Sequence, residues 1–393
     1  MKVLHVIGGV GPGGAETVMY RLVTRASEVR HEVICLGDAD WYSEGLERHG
    51  IQVHYLGMSR PRAIPSALGR LPKLVRLSGA DVVQGWMYRS NVLASLAARS
   101  AGLPSVWSIH CASLEPLGIT ARFWAYVSGA SARRLPTAIV NCSRRSMAMH
   151  ENLGFDRAKV EWIPNGYDPA AFTPDESSRQ RTRTNLRITE GEFVIGTVSR
   201  WHAEKDIPNL LQAIAKLKAR GVRVRCLLIG HRLDSADPAL SDAIRAADVR
   251  TEIVPLGRRG DIPDLFRAMD LLALPSRSES FPNVVPEAML CATPCAVTDV
   301  GDAQEIVGET GWISPPRDPS ALANAISDAR DLYMTDPTAW RQRCSAARRR
   351  IATRFTLEKM GLRYEKLWRS VSGIRAELHT KSPGGTARKL DGP

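Results

Sequence analysis

The chain has 393 residues, 44% of them hydrophobic and 24% charged, and 53 Lys and Arg against 41 Asp and Glu give a formal net charge of +12. That length exceeds one ordinary core and suits two domains of about 170 to 200 residues, with the composition of a soluble globular protein rather than a disordered or fibrous one. No apolar run approaches the roughly 18 residues of a membrane-spanning helix, and seven cysteines without a paired C-x-x-C spacing supply neither a disulfide framework nor a zinc site.

The opening MKVLHVIGGVGPGG reads as a first strand, 2–7, and its loop. It is not a secretory signal, because His5 interrupts the apolar run and glycines end it. Short apolar strands follow at 31–37, 52–57, 81–86, 105–110 and 138–143, and stretches of helical period such as AETVMYRLVTRAS lie between them. A polar, strand-poor segment at 174–190 reads as a linker whose middle is compatible with a helix. The pattern then resumes with strands at 192–199, 224–230, 251–257, 271–276 and 294–300. Strand and helix in regular succession predict parallel sheets covered by helices. The fold class is therefore α/β, with two doubly wound, Rossmann-like domains at 1–173 and 191–354. An amphipathic stretch at about 355–372 follows, and the tail 373–393 lacks apolar periodicity and is expected to be disordered.

Charge is unevenly spread. Residues 48–80 carry six Lys or Arg and no acid, and residues 116–150 carry five, again with no acid and with RFWAY at 122–126. Two readings stand: solvated faces, or a basic and aromatic surface that meets anionic lipid headgroups. No nucleic-acid-binding motif accompanies the charge, so nucleic acid is not an expected partner.

In open parallel sheets the ligand site lies beyond the carboxyl ends of the strands, which singles out three loops. GGVGPGG at 8–14 lets the backbone approach a ligand, and the helix behind it offers N–H groups to an anion. Gly9, Gly11 and Gly14 also fit G-x-G-x-x-G, with Asp38 after the second strand, so a nicotinamide-dinucleotide site and a plain tight turn are both open readings here. SRWHAEKD at 199–206 is either a solvated turn or a pair of cations, Arg200 and Lys205, suited to a diphosphate. ESFPNVVPE at 279–287 places Glu279 in a loop and Glu287 in the first turn of a helix expected to begin near Pro286. Carboxylates that accept from hydroxyls, around free backbone amides, suit a ligand that is part sugar and part phosphate.

SRSESFPNVVPEAMLCATPCAVTDVGDAQEIVG at 276–308 resembles the donor-site signature of the retaining GT-B glycosyltransferases of family 4, also called glycosyl transferases group 1. The similarity continues in GPGGAE, IPNGYD (163–168), GTVSRWHAEKD and PPRDPSALANAI (315–326), and reaches about Trp368. The resemblance implies two domains facing a central cleft, an acceptor-side first domain and a donor-binding second domain, with the 355–372 helix crossing back onto the first. It implies transfer of a sugar, of hexosyl type, from a UDP- or GDP-sugar with retention at the anomeric carbon, and without a metal ion or cofactor. Glu279 would meet the sugar hydroxyls, Glu287 the ribose, and Arg200 and Lys205 the leaving diphosphate. Gly13 and Gly14 would approach the diphosphate from the first domain, His110 would face the donor sugar, and Asn165, Ser280, Phe281 and Asn283 would complete the donor site.

This sequence departs from the family pattern at three places. Ser280 and Ala292 stand where the family has glycine, and Arg89 stands where it often has histidine, a cation able to meet an acceptor phosphate. The expected acceptor is a glycan or a polyprenyl-linked glycan of surface or exopolysaccharide synthesis. The expected location is cytoplasmic, peripheral on the inner membrane face if the basic surface is used. The rival readings are an NAD-dependent oxidoreductase and a nucleotide-sugar-binding protein without transferase activity.

Overall fold

The computed structural model describes residues 1–115 and 117–373. Two parallel sheets organise it. The first has β1 (Lys2–Ile7), β2 (Arg30–Cys35), β3 (Gln52–Tyr55), β4 (Val82–Trp86), β5 (Ser105–Ile109), β6 (Ala138–Asn141) and β7 (Val160–Trp162), in the order β3-β2-β1-β4-β5-β6-β7. The second has β8 (Val194–Val198), β9 (Arg225–Ile229), β10 (Ile253–Gly257), β11 (Leu271–Leu274), β12 (Cys295–Thr298) and β13 (Trp312–Ser314), in the order β10-β9-β8-β11-β12-β13. This is the doubly wound α/β architecture that the strand and helix alternation predicts. β7 and β13 are additions to it, each three residues long.

The strands read as apolar runs because both faces of each sheet are covered. Along β1, Val3 and Ile7 join one buried cluster, and Leu4 and Val6 join another. The first of these clusters is completed from far along the chain. Helix Leu357–Ser372 lays Met360, Tyr364, Leu367 and Trp368 against the first sheet, where the Trp368 indole donates to Gln84 Oε1 at 2.9 Å. Burying apolar side chains of this size contributes about 1.5–3 kcal/mol each. The chain thus crosses between the sheets twice, and the crossings touch. Tyr167 N–H donates to Phe355 O at 2.9 Å, and Leu357 N–H donates to Tyr167 O at 2.8 Å.

The segment 174–190, expected as a linker, contains helix Glu176–Asn185, started by the Asp175 side chain on Ser178 N–H. It is docked on the second domain through charge rather than through an apolar stripe. Arg179 and Arg183 both reach the buried Asp270, at 2.5 and 3.2 Å, and Ser178 Oγ donates to Asp264 at 2.6 Å. Beyond Gly373, the tail expected to be disordered lies outside the described residues. Among the described residues no helix is long and apolar enough to cross a membrane, and no group of three His, Cys, Asp or Glu is placed to hold a metal ion.

Candidate functional site

In each sheet the strand order reverses once, between β1 and β4 and between β8 and β11. Loops that leave neighbouring strands in opposite directions open a crevice there. The loops at these points are the glycine loop after β1, Met87 after β4, 199–206 after β8 and 275–283 after β11. These include all three loops singled out by sequence, and His110 follows β5 one strand away.

Glu279 lies in the loop after β11. Its Oε1 accepts from Lys205 Nζ at 2.6 Å and from Ser276 Oγ at 2.8 Å. The two loops are tied a second time, by Arg277. Its backbone N–H donates to Glu204 O at 2.7 Å, and its guanidinium forks onto the buried Asp206 at 2.7 and 2.8 Å. Underneath runs Gly301, at φ +49, where an added Cβ would collide with the carbonyl oxygens of Glu279 and Ser280. The loop can lie where it does because residue 301 has no side chain. Ser280 itself keeps a negative φ and needs none of glycine's freedom, whereas Ala292 takes φ +62, the left-handed conformation that glycine holds without penalty.

Helix Val284–Leu290 starts two residues before Pro286, which falls in its first turn. Glu287 is buried there and is not open to a ligand on both oxygens. Its Oε1 accepts from Nη2 of Arg21, a residue of the first domain's helix Gly14–Thr24, at 2.6 Å. Burial raises the Glu287 carboxyl above the ordinary carboxylate range, and the Arg21 charge works against that rise. Arg21 in turn sits over the Tyr167 ring, 5.2 Å from its centroid. Tyr167 Oη and Asn165 Nδ2 both donate to Asn283 Oδ1, at 2.5 and 3.0 Å. Phe281 faces inward, stacked near Tyr167 and edge-on to Phe355.

His110 is stacked on Trp86 with ring centroids 5.5 Å apart, and burial lowers it to about 4, so the ring is neutral at pH 7. Neither ring nitrogen has a partner, and the same holds for Asn165 Oδ1, Ser199 Oγ, Ser280 Oγ and Arg21 Nη1. Native interiors rarely leave such atoms unpaired. Other such atoms lie elsewhere in the chain, among them Tyr55 Oη, Arg225 Nε and Arg330 Nε, but these six belong to the loops and helices that line the crevice, where a polar ligand could supply the partners.

The remaining expected residues are less committed. Gly14 is open on its Cβ side, while Gly13 faces the Glu16 carboxylate. Arg200 lies largely in solvent, with Glu204 4.0 Å away. The Arg89 guanidinium stands beside Gly8 of the glycine loop. Asp38 accepts from Ser59, and the Asp40 carboxylate lies over Gly11.

Contacts that sequence reasoning missed join the domains across the crevice. Asp302 of the second domain receives Ser143 Oγ at 2.7 Å and the N–H groups of Arg144 and Arg145 at 2.9 and 3.2 Å. It caps a helix, Arg144–Asn152, that belongs to the first domain. Arg145 adds a fork onto Asp299 at 2.7 and 3.2 Å. Beside them a cavity of about 140 Å³ is lined by Ala112, Arg145 and Ser146 from one domain and Arg277, Glu279 and Gly301 from the other. Of the missed residues, only Arg21 carried a signal, being seven residues from Gly14 and so on the same helical face.

Comparison with known proteins points to a family and a fold. Residues 12–171 match the family described as Glycosyltransferase Family 4, and residues 192–331 match Glycosyl transferases group 1. The chain is 26% identical over 310 residues to the putative glycosyltransferase EpsF of Bacillus subtilis, covering 76% of this chain and 79% of that one. It is 29% identical over 340 residues to a D-inositol 3-phosphate glycosyltransferase of Stackebrandtia nassauensis, covering 78% and 74%. Among solved structures, Anabaena HepE in complex with UDP-glucose superposes with a TM-score of 0.81 at 24% identity, over 94% of this chain and 100% of that one. The oxidoreductase alternative is not favoured by these matches.

Proposed function

The chain belongs to the GT-B glycosyltransferases of family 4, and from that premise we propose that it moves a hexosyl group from a UDP- or GDP-sugar, with retention and without a metal ion, to a glycan or polyprenyl-linked glycan in surface or exopolysaccharide synthesis. The observation that carries the donor half is the pairing of two carboxylates with cations, loop Glu279 with Lys205 and helical Glu287 with Arg21. In this reaction the bond from the anomeric carbon to the diphosphate breaks and a bond to the acceptor oxygen forms. The acceptor's proton leaves with the diphosphate. Lys205, already at the sugar-side carboxylate, supplies fixed positive charge to the leaving group where a metal ion would otherwise act. A neutral His110 can donate to or accept from a sugar hydroxyl without bringing a charge to the reacting centre. The UDP and UDP-glucose complexes of HepE support a uridine nucleotide as donor.

Support for a membrane-borne acceptor comes from helix Ile119–Ser131. Ile119, Phe123 and Tyr126 are 89%, 58% and 55% exposed on one helical face, with the exposed Arg122 among them. Helix Ile64–Leu77 adds exposed Leu68 and Leu77 beside Arg70, Lys73 and Arg76. Apolar and basic side chains together suit the headgroup region of an anionic bilayer, which supports the reading of a cytoplasmic enzyme peripheral on the inner membrane face.

The test is thermal stabilisation by UDP, GDP and NAD. A ligand at a hundred times its dissociation constant adds about 2.7 kcal/mol to the native state. A shift with UDP or GDP and none with NAD is the expected result; NAD alone would overturn the reading.

A further inference from the structure

We propose that Arg21 is a positioning residue of the nucleotide subsite: from the first domain it holds the Glu287 carboxylate ready for ribose hydroxyls, and its second guanidinium nitrogen donates to an oxygen of the nucleoside diphosphate. The inference rests on the reading of Glu287 as the ribose-binding carboxylate.

Three observations converge on it. Gly14 and Arg21 lie two turns apart on one face of helix Gly14–Thr24, about 10 Å along its axis. One helical face therefore carries both the open backbone at the glycine loop and the cation at Glu287. Second, Arg21 Nη2 is spent on Glu287 Oε1 at 2.6 Å, but Nη1 is buried with no partner. A guanidinium N–H left unpaired in the interior is costly. Third, the guanidinium rests on Tyr167, whose hydroxyl joins Asn165 on Asn283 in the donor loop. Asn165 Oδ1 and Ser280 Oγ share the unpaired condition of Nη1.

The charge balance gives the pair a task. With Oε1 held by Arg21, an ionised Glu287 keeps Oε2 as an acceptor for hydroxyls, whereas a protonated carboxyl has one donor in place of an acceptor. Burial pushes Glu287 toward the protonated form and Arg21 opposes it. The other titratable groups facing the pair are the phenols of Tyr42 and Tyr167 and the Cys291 thiol, each raised by burial and so neutral near pH 7. Arg21 is thus the charge that opposes protonation of Glu287.

The experiment is UDP binding by calorimetry between pH 6 and 8.5, on the full chain and on Arg21→Met, Arg21→Lys and Glu287→Gln. Arg21→Met should weaken UDP about tenfold or more at pH 6. Much of that loss should return as pH rises and Glu287 ionises unaided, so its profile is steeper than the wild type's. Arg21→Lys, which keeps the charge but not the fork, should keep the shallower profile and bind more weakly than wild type. An Arg21→Met loss equal at every pH, or no loss, overturns the inference. Weakened Glu287→Gln with unchanged Arg21→Met overturns the inference alone. Unchanged Glu287→Gln overturns the ribose-site reading and the inference with it. If Arg21→Met does not fold, the comparison of Arg21→Lys with wild type decides: equal affinity for UDP overturns the fork's role.

Discussion

Lys205 Nζ lies 2.6 Å from Glu279 Oε1, across two loops that leave neighbouring strands β8 and β11. Within the proposed reaction, the cation meant for the leaving diphosphate and the carboxylate meant for the sugar start as one ion pair. Donor binding must therefore loosen it or bridge it. Lys205→Met should lower kcat by about 10²- to 10³-fold, the usual consequence of losing one preorganised charge at the reacting centre. Steady-state kinetics with a UDP-sugar, alongside circular dichroism to confirm the fold, checks this; wild-type turnover would remove Lys205 from the mechanism.

Gly301→Ala tests the loop from beneath. The new methyl meets the carbonyls of Glu279 and Ser280, at a residue already held at φ +49. Overpacking of this kind costs about 1–3 kcal/mol. Turnover should suffer more than nucleotide affinity, because the displaced atoms carry Glu279 and not Glu287. Parallel measurement of kcat and of UDP dissociation separates the two.

Ala292→Gly should stabilise the protein by about 1 kcal/mol, since Ala292 pays for φ +62 with a crowded Cβ. A rise in the urea midpoint at unchanged m-value is the expected signature.

Acidification should unfold the protein over a defined range. Burial lowers His31, His110 and His150 to about 4 each, against about 6.5 in an unfolded chain. Between those values the unfolded state binds more protons, so stability falls as pH falls. At pH 5 the loss is about 2 kcal/mol per group. His150→Gln, outside the crevice and bonded to Tyr88 Oη at 2.9 Å, should make the fall shallower by about one proton; equal slopes in urea titrations at pH 7 and 5 would contradict this.

Much of the architecture was legible because parallel strands covered on both faces leave uninterrupted apolar runs. β7 and β13 were not, because VEW and WIS are short and only half buried. Helix Glu176–Asn185 was legible only as a linker compatible with a helix, because Asp270, rather than an apolar face, holds it in place. In the site, Glu279, Glu287 and Lys205 stood out through spacing and through Pro286, which marks a helix start. Arg21 carried only its spacing from Gly14 as a signal, its partner being 266 residues away. The left-handed Ala292 and the cap supplied by Asp302 depend on backbone geometry and domain placement, which a local pattern does not encode.

Helix Leu357–Ser372 has a consequence for the order of events during synthesis. The core around β1 and β4 contains Tyr364 and Trp368, which the ribosome delivers only after the whole second domain. At about 5–20 residues per second, the first sheet waits many seconds with an unfilled apolar face. The domain that is begun first is thus the one finished last, and the second can fold completely in the interval.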